Sequence, residues 1–355
     1  MIQITRRDLL LSLPVLAGAS NVIPRLRAQQ SPTPPIPLRA LNHMTLMVSD
    51  VKRSVDFYQG LFGMPIQARQ GAAVLLRIGA GPQFIAIARG GADAKPGIGH
   101  FCMTTEHFNA DRVMGILARH GVTKADAPSG GLSGGPMKAR VNIRLPDRGG
   151  AWEGTPELYL GDPDGIVIQL QDTAYCGGGG VLGNVCPLPE PAPARSVLAV
   201  RDLSHFTMSV TNGPRGAAFY QALFGLRIQA YQGANPVLEV GRGVQFVMAN
   251  GPAAGRGDAS GAPRAAGINH ACMSMEGFDL DKVLKALTDF GLKPRGSGPV
   301  GPLVHYVSMR MPDRGGAAAG TPELYFTDPD GLVMQLQDTS YCGGGGVLGN
   351  VCTSA

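Results

Sequence analysis

The stretch PELYLGDPDGIVIQLQDTAYCGGGGVLGNVC at residues 156–186 returns almost unchanged as PELYFTDPDGLVMQLQDTSYCGGGGVLGNVC at 322–352. Outward from this pair, LNHMTLMV at 41–48 recurs as LSHFTMSV at 203–210, and GIGHFCM at 97–103 as GINHACM at 267–273. Duplication on this scale means two copies of one domain, each long enough to bury a core of its own. Any residue read as functional in one copy can therefore be tested against its counterpart in the other.

Each copy divides again. Residues 41–48 alternate as a strand, Ser49 and Asp50 supply a helix cap, and a helix carrying Val51, Val55, Tyr58, Leu61 and Phe62 stops at Gly63. Short strands follow near 74–78 and 84–88. The second half repeats the order, with a strand at 100–104 and a helix over 109–119 ending at Gly121. Strands near 139–145, 157–160 and 166–171 complete it, the last two joined by the DPDG turn at 162–165. A strand–helix–three-strand unit thus appears four times. The expected class is α+β: two tandem domains at 40–186 and 200–355, each pairing two βαβββ modules into a half-open barrel with a central cleft. Residues 29–39 and 187–199 read as linkers, the proline-rich parts at 31–37 and 187–194 being a mobile lead-in and the domain boundary.

Strand alternation sorts the polar residues. His43, Thr45 and Met47 point one way while Met44, Leu46 and Val48 point the other, and the apolar set should pack on the helix. The same parity places His100 with Cys102 and Thr104, Gln169 with Gln171, and, in the second copy, His205, His270, Cys272, Gln335 and Gln337 on the cleft side. A lone strand histidine is commonly a hydrogen-bonded structural residue. Two per copy on one inner face point to metal binding.

The elements His43, His100 and YLGDPDGIVIQ at 159–169, repeated as His205, His270 and YFTDPDGLVMQ at 325–335, resemble those of the vicinal oxygen chelate superfamily. That superfamily includes glyoxalase I, extradiol ring-cleaving dioxygenases and the bleomycin and fosfomycin resistance proteins. The resemblance covers nearly the whole chain outside its leader and linkers. It implies a divalent metal (iron, zinc or manganese) held by two histidines and a residue of the last strand, with positions left open for a small oxygen-bearing substrate. Carried across, the ligands are His43, His100 and Gln169 in one copy and His205, His270 and Gln335 in the other. Three departures stand out. Glutamine replaces the family's glutamate in both copies. The extradiol enzymes have a histidine before the tyrosine strand, where this chain reads RGGAW at 148–152. Glyoxalase I has a carboxylate near Gln83. Dioxygenase, lyase and isomerase chemistry remain open, as does sequestration of a small molecule without catalysis.

Cys102 and Cys272 share a face with the histidines, so each reads either as a thiolate replacing the missing carboxylate or as a small buried apolar residue. Tyr159 and Tyr325 are candidates to donate to a developing oxyanion, or else fill the cleft wall. The DPDG turns, and Arg148 and Arg314 within PDRGG, read as structural, with an anion contact open to the arginines. Glu157 and Glu323 share parity with the tyrosines. His305 has no histidine counterpart.

Cys176 and Cys186 bracket a glycine-rich loop, as do Cys342 and Cys352. Three connectivities exist; within-copy disulfides are favoured, each worth about 2–3 kcal/mol by chain entropy. At the N-terminus, Arg6 and Arg7 precede an apolar run over 9–19, too short to span a membrane. Residues 1–28 read as a twin-arginine signal for export to the periplasm or beyond. Arg6, Arg7, Arg25 and Arg27 against Asp8 account for +3 of the formal charge of +5, so no basic surface supports nucleic-acid binding. Once the signal is removed no membrane association is expected, and a homo-oligomer is left open.

Overall fold

The computed structural model describes residues 33–91, 94–126, 131–252 and 265–352. The expected export signal at 1–28 lies outside them. The first copy runs β1 (Leu38–Val48), α1 (Val51–Phe62), β2 (Ile66–Gln70), β3 (Ala73–Arg77), β4 (Phe84–Arg89), β5 (Gly97–Thr105), α2 (Ala110–Arg119), β6 (Thr123–Lys124), β7 (Lys138–Arg144), β8 (Thr155–Gly161) and β9 (Val167–Asp172). The second repeats it as β10 (Asp202–Ser209), α3 (Gly213–Phe224), β11 (Ile228–Gln232), β12 (Asn235–Glu239), β13 (Phe246–Asn250), β14 (Gly267–Met275), α4 (Leu280–Phe290), β15 (Lys293–Pro294), β16 (Val304–Arg310), β17 (Thr321–Thr327) and β18 (Val333–Asp338).

Each copy forms one open nine-stranded sheet, ordered β2-β3-β4-β1-β5-β9-β8-β7-β6 in the first and equivalently in the second. The two βαβββ modules join where β1 pairs antiparallel with β5. The helices begin and end as the residues dictate. The Asp50 side chain accepts from Arg53 N at the start of α1, and Gly63, at φ 64°, takes the left-handed conformation that closes it. Alternation holds at the centre of each sheet: Met44, Leu46, Phe101, Met103, Ile168 and Leu170 are buried on the helix side. β2 and β6 were not visible in the sequence. β2 carries an irregularity between Ile66 and Ala68 that breaks its alternation, and β6 is two exposed residues long.

The two copies pack against each other. Residues from 34 onward make one compact unit, and a single apolar core takes in both sheets and helices of both copies. Phe101 stacks on Phe206 with centroids 4.8 Å apart. Tyr58 of α1 donates to Asp328, and Tyr220 of α3 donates to Asp162. Gln83 accepts from Leu203 N and donates to Leu41 O, while Gln245 accepts from Leu41 N and donates to Leu203 O.

The lead-in, expected to be mobile, and the linker between the copies both dock as straps. Ile36 is buried and its N–H donates to Leu223 O of the second copy. Leu198 is buried and donates to Leu61 O of the first, and Glu190 bridges to Ile66. The physical reason is that these segments carry apolar side chains on extended, proline-stiffened backbone, which loses little entropy when it docks.

Candidate functional site

β1 and β5 lie side by side with Thr45 opposite His100 and His43 opposite Cys102, while Cys102 of β5 lies opposite Gln169 of β9. This register brings three side chains together. His43 Nε2 is 3.0 Å and His100 Nε2 3.1 Å from the same atom, Gln169 Oε1. In the second copy His205 Nε2 is 3.1 Å from Gln335 Oε1, and the His205 and His270 rings meet edge-on with centroids 5.5 Å apart, as do those of His43 and His100.

The tautomer of His43 is fixed by its neighbours. Asn42 Nδ2 donates to Tyr175 O, so Asn42 Oδ1 faces His43 Nδ1 at 2.7 Å and takes its proton. The Nε2 lone pair then looks at Gln169 Oε1, another acceptor. Asn269 performs the same service for His270, whose Nδ1 lies 2.8 Å from Asn269 Oδ1 and whose buried Nε2 has no hydrogen-bond partner. His205 Nδ1 meets Ser204 Oγ at 3.2 Å. Gln169 Nε2 and Gln335 Nε2 are likewise buried without partners. Burial lowers His100 and His270 to about 4 and holds His43 and His205 well below the ordinary imidazole value. All four rings are therefore neutral near pH 7, the form that ligates metals.

Around the histidines lies a polar network of which the sequence showed only part. Glu157 accepts from Arg144 Nε at 2.7 Å, from Tyr175 Oη at 2.9 Å and from Tyr159 Oη at 3.2 Å. Arg144 is fully buried and donates further to the carbonyls of Gly149 and Gly178. Tyr175 and Phe84 stack on His43, and Tyr159 meets His100 edge-on at 5.2 Å. Arg310, Glu323, Tyr341 and Tyr325 repeat the arrangement. The available signal was that Arg144 and Arg310 share parity with the cleft residues and stand four residues before each PDRGG arginine.

Several expectations meet particulars here. The phenolic proton of Tyr159 goes to Glu157, and burial raises both tyrosine pKa values well above normal, so each hydroxyl stays protonated. Cys102 and Cys272 are buried, their thiols pushed up by desolvation and directed at the Met103 and Met273 carbonyls. Among the described residues no group of three His, Cys, Asp or Glu could hold a metal, so a two-histidine, one-cysteine set is not assembled. The within-copy disulfides Cys176–Cys186 and Cys342–Cys352 are formed. The first of their loops is held down along its length: Gln67, Gln70, Arg144 and Thr155 each donate to a carbonyl of residues 176–180. His305 packs away from the cleft against Thr288.

In the second copy the site opens into a cavity of about 310 Å³ whose walls all come from that copy. Histidines on the two central strands, a polar residue on the last strand and the paired modules are the decisive arrangement. This is a vicinal oxygen chelate fold. Residues 40–170 match the model of the Glyoxalase/Bleomycin resistance protein/Dioxygenase superfamily. Among solved structures, homoprotocatechuate 2,3-dioxygenase from Arthrobacter globiformis is similar at 15% identity, covering 86% of this chain and 82% of its own, with a TM-score of 0.53. The 2,3-dioxygenase LapB from Pseudomonas sp. KL28 is similar at 14% identity, covering 85% and 92%, with a TM-score of 0.51. At these identities the likeness concerns the fold. No curated protein sequence matches the chain.

Proposed function

We propose that this vicinal oxygen chelate protein is an exported enzyme holding a divalent cation in each copy. His43, His100 and Gln169 would be the ligands in the first, and His205, His270 and Gln335 in the second. The observation that carries the reading is the approach of two neutral imidazole nitrogens to one carboxamide oxygen, with the His43 lone pair facing that oxygen. With the amide in this orientation two acceptors face each other, an arrangement that a cation would relieve, and imidazole nitrogen and carboxamide oxygen are both atoms that ligate divalent metals. Iron, zinc and manganese all suit such a site. When bound, the cation would serve as a Lewis acid toward adjacent oxygens of a small organic molecule. The chain's own part is to keep the imidazoles unprotonated, to orient them through Asn42 and Asn269, and to hold the tyrosines in place through Glu157 and Glu323. Dioxygenase, lyase or isomerase chemistry would use this arrangement, and dioxygenase activity is the first to assay because structural neighbours carry that name. Two disulfides per chain suit the oxidising compartment that the leader sequence implies.

A second reading, sequestration of a small molecule without metal, is favoured by the neutral carboxamide. With the amide reversed, the two N–H groups of Gln169 would donate to both imidazoles and satisfy the site by themselves. Metal analysis of protein purified after export separates the two. Near-stoichiometric metal, halved by His100→Ala or His270→Ala alone and lost in the double variant, is the expected result. Metal-free protein that binds small organic ligands tightly would establish sequestration instead.

A further inference from the structure

Arg314 stands at the rim of the cavity that His205, His270 and Gln335 floor. Its position is set by backbone. Pro312–Arg314 is a single 3-10 turn closed by Gly315 at φ 80°, and a Cβ on Gly316 would fall 1.7 Å from the Arg310 carbonyl oxygen. The turn thus fixes where the exposed Arg314 side chain leaves the backbone, and the guanidinium makes no ion pair among the described residues. The charge balance of the cavity follows. Its charged lining residues are Arg314 and Glu323. Glu323 is already engaged by the buried Arg310 guanidinium at 2.8 Å and by the Tyr341 hydroxyl at 2.9 Å. The histidines are neutral. Arg314 therefore leaves one uncompensated positive charge at the mouth. Tyr306 and Tyr325 stack on each other with centroids 5.2 Å apart, and the Arg295 guanidinium lies over the Tyr306 ring 5.1 Å from its centroid, so these rings already have partners.

We infer that the second cleft takes a small organic molecule bearing a carboxylate, its anionic group on Arg314 and its body reaching toward Tyr325 and the paired histidines. This deepens the functional proposal by naming a ligand class for the same cleft, and it rests on that cleft being a binding site. A volume near 310 Å³ accommodates a ligand of this size, and a guanidinium fork matches a carboxylate.

Met248 lines this cavity, and its counterpart in the first copy is Ala86, so its methyl group reports on the second cleft alone. Methyl-labelled methionine protein is titrated with benzoate and with neutral benzamide, as isolated and again after chelator treatment. Benzoate should shift the Met248 signal saturably in both preparations and bind at least about tenfold tighter than benzamide. Arg314→Gln should weaken benzoate by about tenfold and leave benzamide unchanged, while Arg314→Lys recovers most of the affinity. No benzoate binding, equal affinity for the two probes, or full affinity in Arg314→Gln would overturn the proposal. So would binding abolished by the chelator alone, which would place the carboxylate on the metal. Metal content, measured separately, tests the metal proposal independently of this preference.

Discussion

Arg144 shows how a single buried charge organises this site. With no exposure, it survives only because Glu157 and two backbone carbonyls surround it. Replacing it by a hydrophobic residue of similar length strands the Glu157 carboxylate in the interior. Arg144→Met should therefore lower the unfolding free energy by about 3–5 kcal/mol. Arg144→Met combined with Glu157→Gln should recover much of the loss. Denaturant unfolding of the two variants checks this, and equal losses in both would refute it. The histidines were legible in the sequence because a period of two fixes the face of every strand residue. Arg144 and Tyr175 were not. An arginine on a strand ordinarily reads as solvated, and its burial depends on the β7–β8 register setting Asn142 opposite Glu157, which periodicity does not state. Asn42 and Asn269 were missed for a related reason: each sits at a shift in strand register, where strict alternation fails, and so reaches the ring of the next residue.

At the scale of elements, the DPDG turns do more than join strands. Asp162 caps its own turn by accepting from Asp164 N and Ile166 N, and its second oxygen receives the Tyr220 hydroxyl of the other copy. Asp164 then pairs with Arg215 and Thr211. The twin turn uses Asp328 with Tyr58, and Asp330 with Arg53 and Ser49. Desolvation raises Asp162 and Asp328 to about 6 from an ordinary 3.8. A carboxyl with a raised folded-state pKa takes up a proton on folding. Its stabilisation is complete below about pH 4 and drains away as pH climbs through 6. The stability of the parent relative to Asp162→Asn should thus fall by up to about 3 kcal/mol between pH 4 and 7. A pH-independent difference in thermal unfolding would contradict this. The turn was readable from its four residues; its partner across the molecule was not, since docking between copies leaves no local pattern.

At the scale of the molecule, the contacts between copies are reciprocal. Tyr58 and Tyr220, Asp162 and Asp328, and Gln83 and Gln245 occupy equivalent places in the repeat, so a surface that fits the other copy also fits itself. Residues 34–186 expressed alone should form a homodimer of the same design, which sedimentation analysis would detect. A stable, well-folded monomer would show that the shared core is dispensable. Duplication was plain from the sequence, but the sharing of one core was hidden, because apolar helix faces look alike whether they cover their own sheet or a neighbour's. The straps add a last consequence. Residues 34–39 clasp the second repeat and residues 196–201 the first, each fastening the half it does not belong to. A backbone cut between the repeats would leave two polypeptides still interlocked. The peptide join therefore matters chiefly for guaranteeing that the two halves are made in equal number and meet at birth.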